Sequence, residues 1–179
     1  GQNIKINLNL NLRKKKYWQP QLKLNYNQNK RDIIVQTKIL LENSLKLRMR
    51  SDVPVAFCLS GGVDSGLLAS IAKKKLNKEI STFSIIDKDI KYNELDQIEI
   101  VINDLGCKSE LINLKRNSEN FLDRIKNLTK YHDGPIATAS YYIHSLLTEK
   151  ISKLGYRVSI SGTGADEMFT GYNDHYLLH

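Results

Sequence analysis

The chain has 179 residues and is 41 % apolar, which is enough for one domain with a core, or one domain plus an arm. No apolar run approaches the roughly 18 residues of a helical membrane span. The N-terminus, GQNIKINLNLNLRKKKYW, alternates where a secretory leader would be continuously apolar, so a cytoplasmic protein is expected.

The net charge of +8 invites a nucleic-acid reading. Residues 1–50, however, hold 12 Lys+Arg against 2 Asp+Glu, while the rest holds 15 against 17. The charge therefore belongs to a solvated basic arm or linker, and nucleic acid is not the expected partner.

In chain order, IKINLNLNL (4–12) alternates with period two, as a half-buried strand does, and fits an edge hairpin or a piece of another domain. RKKKYWQPQLKLNYNQNK (13–30) is polar and reads as linker. RDIIVQTKILLENSLKLRMR has apolar residues at helical spacing, with Asp32 as the expected start. VPVAFCL is apolar throughout, as in a strand of a parallel sheet covered on both faces.

DSGLLASIAKKKL then reads as a helix with lysines in its last turn, where the helix dipole favours them. ISTFSII is a second strand. NELDQIEIVINDLG is a helix with acids early and a glycine stop. SELINL is a third strand, and NSENFLDRIKNLTKYH a helix capped by Asn117 or Ser118. TASYYIHSLLTEKISKLG is a longer helix ending at Gly155, and YRVSIS is the last strand. Alternating strands and helices predict an α/β fold, an open parallel sheet with helices on both faces. Cys58 falls inside a predicted buried strand and Cys107 after a helix-ending glycine, so no disulfide framework is expected.

Two glycine loops, SGGVDS (60–65) and SGTGADE (161–167), each follow a strand. In open parallel sheets ligands bind beyond the C-terminal strand ends. The first loop is not a Walker A motif, because Leu67 and Leu68 stand where Lys and Ser/Thr are required. The second has Glu167 where a dinucleotide motif needs its third glycine. Loop amides at a helix N-terminus attract anions, yet Asp64 lies among them and would repel a polyphosphate. A divalent cation resolves the conflict, since Mg²⁺ typically uses one or two carboxylates plus substrate phosphates. The expectation is a Mg²⁺–triphosphate site with Asp64 and Asp166 as metal ligands; the bland alternative is that Asp64 and Ser65 merely cap the helix.

SGGVDS resembles the pyrophosphate-binding loop of the ATP pyrophosphatase (PP-loop) superfamily, whose fold is adenine nucleotide alpha hydrolase-like. With SGTGADEMFTGY it resembles the synthetase domain of glutamine-dependent asparagine synthetases. YWQPQ is similar to the end of that family's glutaminase domain, and LRMRSDVPVAFCLSGGVDS to the start of its synthetase domain. The resemblance divides the chain into residues 1–30, a basic arm and remnant of a glutaminase domain, and 31–179, an ATP pyrophosphatase domain incomplete at its C-terminus.

It implies an ATP-dependent amide-forming ligase that adenylates a carboxylate, releases pyrophosphate and transfers ammonia. By resemblance Ser60, Gly61, Gly62, Val63, Asp64 and Ser65 hold pyrophosphate; Leu59, Ile85, Ser161 and Gly162 touch adenosine; Asp64 and Asp166 bind Mg²⁺. The implied partners are ATP, an aspartate-like carboxylate, glutamine-derived ammonia by way of a glutaminase domain, and a second copy in a homodimer. Thr163 departs from the pattern, because asparagine synthetases carry there a glutamate tied to forming the acyl-adenylate. A hydroxyl cannot act as that base, so Thr163 implies either a redirected acceptor or lost catalysis. A non-catalytic nucleotide-binding remnant or partner subunit, and a tRNA-modifying PP-loop enzyme, are the competing readings.

Several residues have bland explanations. Asp133, in an Asp-Gly-Pro turn, borders the active site by resemblance. Tyr141 and Tyr142 fit helix packing, Tyr172 fits packing under the second loop, and Glu167 fits an N-terminal helix charge. The four histidines show no metal-ligand spacing with the cysteines. Cys58 is expected to be buried and inert.

Overall fold

A computed structural model describes residues 1–21, 28–114 and 120–177. The chain forms two compact units, Gly1–Lys38 and Ile39–His179, the division falling inside a helix. In the first unit, β1 (Gln2–Ile6) and β2 (Leu12–Lys16) pair antiparallel, with Ile6 opposite Leu12 and Gln2 opposite Lys16. The alternation over 4–12 is therefore not one strand. It breaks at Asn7, whose Oδ1 accepts the N–H groups of Asn9 (3.1 Å) and Asn11 (2.8 Å) and turns the chain.

Residues 13–16, expected as linker, are the partner strand, because a ladder can form on backbone groups that composition does not reveal. The Gly1 carbonyl accepts from Tyr17 N–H (3.0 Å) and Trp18 N–H (3.3 Å) and closes the ribbon's open end. Every residue of both strands is exposed, contrary to the half-buried expectation. A two-stranded ribbon has no second layer of its own to bury a face against.

α1 (Lys30–Arg48) starts before Asp32. Asn29 is the cap: its Oδ1 accepts Arg31 N–H at 3.0 Å and its carbonyl accepts those of Asp32 (3.0 Å) and Ile33 (3.1 Å). Asp32 lies in the first turn, where its charge suits the dipole.

The second unit is built on β3 (Val55–Cys58), β4 (Ser81–Ile86), β5 (Lys108–Asn113) and β6 (Val158–Ile160). They form one sheet in the order β5-β4-β3-β6, all parallel, as the strand–helix alternation predicts. Between them run α2 (Val63–Ser70), α3 (Leu95–Leu105), α4 (Phe121–Tyr131) and α5 (Ser140–Lys153). α6 (Ala165–Phe169) and α7 (Asn173–Leu177) follow β6. The caps expected at Asn117 or Ser118 lie outside the described residues, and α4 begins after Asn120. α2 is prolonged by a π-helical turn, Ile71–Lys75, in which Leu76 N–H reaches the Ile71 carbonyl at 3.0 Å.

Pleating sends neighbouring residues of a strand to opposite faces, and the core follows that rule. Phe57 packs with Leu45 of α1, Ala69 of α2 and Leu105 of α3. Its neighbour Ala56 packs with Phe83 and with Ile151 of α5. Helices thus cover both faces. On the α5 side Tyr156 sets its ring edge-on to Phe83, with centroids 5.2 Å apart, and donates its hydroxyl to Ser81 Oγ at 2.8 Å. Near the loops, Ile98 of α3 is buried against Leu59 and Ile86.

α3 stops at Gly106, which has φ 54° and donates its N–H to the Ile102 carbonyl. An added Cβ there meets nothing, so only the backbone conformation resists substitution. Gly106→Ala is expected to cost about 1 kcal/mol, read as a Tm fall of about 2–4 °C in a thermal melt.

The chain leaves β3 for β4 and β5 on one side and returns to β6 on the other. The strand order therefore reverses at β3 and β6, and a crevice opens beyond their C-terminal ends. Both glycine loops start there.

Candidate functional site

The loop after β3 is held by its two serines. Ser65, only 6 % exposed, accepts the Ser60 N–H on its Oγ at 3.0 Å. The two hydroxyl oxygens are 2.9 Å apart, and the Ser65 hydroxyl also faces the carbonyls of Ser60 (3.1 Å) and Gly62 (3.3 Å). Gly62 is the extended residue before α2, and its N–H reaches Ser60 Oγ at 3.3 Å. No side chain caps α2. Its first-turn N–H groups have no acceptor within the helix and carry the positive end of its dipole.

The loop after β6 is shaped by two residues with left-handed backbone, Gly164 (φ 95°) and Thr170 (φ 58°), on either side of α6. Ser161 Oγ donates to Thr163 Oγ1 at 3.1 Å. Gly162 is pressed against the first loop. A Cβ on it would lie 2.9 Å from Ser65 N and 3.0 Å from Asp64 Cβ. Gly171 is closer still to Asp166, since a Cβ there would fall 2.0 Å from Asp166 Oδ1 and 3.2 Å from its Cα. The Asp166 carboxylate thus lies directly over Gly171.

The two loops line one open cleft of about 720 Å³, within the usual range for ligand pockets. Leu59, Ser60, Gly62, Asp64, Ser65, Ile85, Ser161, Gly162, Thr163 and Asp166 all line it. Twelve residues expected at the site are thus ten at the cleft and two beside it. Gly61 and Val63 do not line it: Val63 is 83 % exposed, and the Gly61 N–H is taken by Glu94 Oε2 at 2.9 Å. Sequence reasoning missed Tyr92 and Glu94 from the β4–α3 segment, His144 from α5, and Tyr172. The segment's only signal was its place at the end of a parallel strand, and α5 reads as an ordinary packing helix.

Among the described residues no group of three or more His, Cys, Asp or Glu side chains could hold a metal by itself. The residues present fit Mg²⁺ bound with a polyphosphate. Two carboxylates, Asp64 and Asp166, line the same cleft as the N-terminus of α2, and Mg²⁺ completes its shell with phosphate oxygens and water.

Cys58 also lines the cleft, half-buried, and burial pushes its thiol up, against a smaller opposing hydrogen bond with Ser159. A thiol held protonated is a poor nucleophile. Both cysteines are free. The Tyr172 hydroxyl donates to Glu167 Oε1 at 3.1 Å, and that bond holds the phenol above its ordinary range. Glu167 therefore anchors a cleft residue besides lying in the first turn of α6. Asp133 sits in a turn at φ 50° and does not line the cleft. Tyr142 is buried against Phe121, with ring centroids 4.9 Å apart, while Tyr141 meets His132 at 5.1 Å. No described helix is long and apolar enough to cross a membrane.

The chain is 31 % identical to asparagine synthetase [glutamine-hydrolyzing] 1 of Bacillus subtilis (strain 168), over 82 % of this chain and 23 % of that protein. It is 33 % identical to putative asparagine synthetase [glutamine-hydrolyzing] 2 of Methanocaldococcus jannaschii, over 82 % of this chain and 28 % of the other. It is also 30 % identical to amidase chyE of Penicillium rubens, over 82 % and 24 %. The chain spans about a quarter of the length of these relatives. The family model for asparagine synthase matches residues 36–179, which takes in the whole sheet and both glycine loops. On that match, and on loops that meet where the strand order reverses, the chain belongs to the asparagine synthase family.

Proposed function

We propose that this chain carries the ATP-using half of an amide-forming ligase. One observation carries the reading: Gly162 presses on Asp64 and Ser65, so both loops face the same cleft. The first-turn amides of α2, held by Ser60 and Ser65, bind the β- and γ-phosphates. Leu59, Ile85, Ser161 and Gly162 hold the adenosine side. Asp64 and Asp166 would hold Mg²⁺, which neutralises phosphate charge when bound. A substrate carboxylate oxygen forms a bond to the α-phosphorus as the bond to the β-phosphate bridge breaks, and pyrophosphate leaves. The lone pair of ammonia then attacks the acyl carbon, the bond to AMP breaks, and the nitrogen loses a proton. The protein's contribution is positioning and preorganised charge. The carboxylate is aspartate or a related acid, and glutamine is the ammonia source through a glutaminase domain.

The test is pyrophosphate and AMP release from Mg·ATP with candidate carboxylates. Equimolar release that needs a carboxylate is expected. Tight Mg·ATP binding with no release from the full gene product would identify a non-catalytic nucleotide-binding subunit, the reading that Thr163 favours.

A further inference from the structure

Glu94 stands immediately before α3, where its side chain could cap its own helix, yet it makes no cap hydrogen bond. The Leu95 N–H goes to Asn93 Oδ1 at 2.9 Å instead. The Glu94 carboxylate crosses to the loop after β3 and accepts the Gly61 N–H at 2.9 Å. The approach is close enough to forbid a side chain at Gly61, since a Cβ there would lie 2.8 Å from Glu94 Cβ and 3.1 Å from Gln97 Cβ. The start of α3 is itself held in place. Ile98, one turn on, is 1 % exposed and packs against Leu59 and Ile86 at the ends of β3 and β4. Glu94 thus ties a rigid helix end to the middle of the glycine loop while lining the cleft.

We propose that Glu94 is a positioning residue for the glycine loop. By taking the Gly61 N–H it fixes the peptide planes of residues 60–62, so that the α2 first turn, and not Gly61, faces the bound phosphates. A hydrogen bond to a loop amide, whether its acceptor is a carboxylate or an amide oxygen, is strong enough to select one backbone arrangement. The identity of the phosphate ligand rests on the function proposed above; the loop-setting role does not.

Two variants separate geometry from charge. Glu94→Gln keeps an acceptor for Gly61, and Glu94→Ala removes it. Calorimetry with Mg·ATP and Mg·pyrophosphate is expected to show about tenfold weaker binding in Glu94→Ala, with Glu94→Gln within about threefold of wild type. Adenosine binding should be the same in all three proteins. The ¹H–¹⁵N signal of Gly61 in the ligand-free protein should stay downfield in wild type and Glu94→Gln and move upfield in Glu94→Ala. Unchanged or tighter pyrophosphate binding in Glu94→Ala would show that the carboxylate merely occupies an anion site, and would overturn the proposal. Equal weakness of the two variants would do so as well, by assigning the effect to charge. If the wild type binds no Mg·ATP, the proposed function fails, and the Gly61 signal still decides whether Glu94 sets the loop.

Discussion

Asp64→Ala is expected to weaken Mg·ATP binding about thirtyfold, the scale of losing one charged contact in a partly desolvated site. Asp64 lines the cleft at the start of α2, beside amides that attract phosphate. Without a cation its carboxylate opposes a triphosphate. On the proposed function Asp64 would be a ligand when Mg²⁺ is bound, and the sign of its contribution would reverse. Calorimetry in Mg²⁺ and again in EDTA therefore gives two readings. In Mg²⁺ the wild type binds more tightly, and in EDTA the variant binds as well or better. Equal affinities in Mg²⁺ would remove the metal role. The variant also loses a favourable charge at a helix N-terminus, worth about 0.3–1 kcal/mol of stability. That loss is too small to unfold the domain and appears separately in a thermal melt.

Gly162→Ala tests the contact that makes one site of two loops. The new Cβ would sit 2.9 Å from a backbone nitrogen, Ser65 N, and 3.0 Å from Asp64 Cβ. A backbone atom at the start of a helix cannot rotate away, so the β6 loop must withdraw. Overpacking of this kind costs about 1–3 kcal/mol, and a Tm drop of about 5 °C is expected. Mg·ATP binding should fall at least as far as in Asp64→Ala, because the loops no longer converge on one ligand. A variant with wild-type stability and affinity would show that the close approach is unimportant. The neighbouring Gly164→Ala should behave differently. A Cβ there meets nothing, and the cost is confined to the strained backbone at φ 95°.

The sheet was legible in the sequence because strands buried on both faces carry no charges: VAFC is apolar throughout, and STFSII sets three hydroxyl residues among Phe and Ile, each run lying between helices of ordinary period. The hairpin was legible only in part, because the alternation over 4–12 fits an edge hairpin while most of its second strand falls in the stretch read as linker. Arg13–Lys16 is a strand only because β1 offers it a ladder, and its long charged side chains give no period to read. The start of α1 was misplaced by one cap, since Asn29 and Asp32 are both good cap residues and only the backbone shows which one accepts the free amides.

The site divides in the same way. Local chemistry alone identified the two loops, because an acid within a glycine-rich strand–loop–helix segment is unusual wherever the chain folds. Sequence by itself therefore determined the fold class and the pair of loops, and both loop acids, Asp64 and Asp166, line one cleft. The tertiary structure alone decided that Gly61 turns its amide to Glu94, that Gly162 is a glycine of contact, and that Tyr92, His144 and Tyr172 join the cleft. The physical reason is that those relations run between segments dozens of residues apart. They depend on ångström-scale distances set by how helices pack on a sheet, which no local pattern of residues encodes.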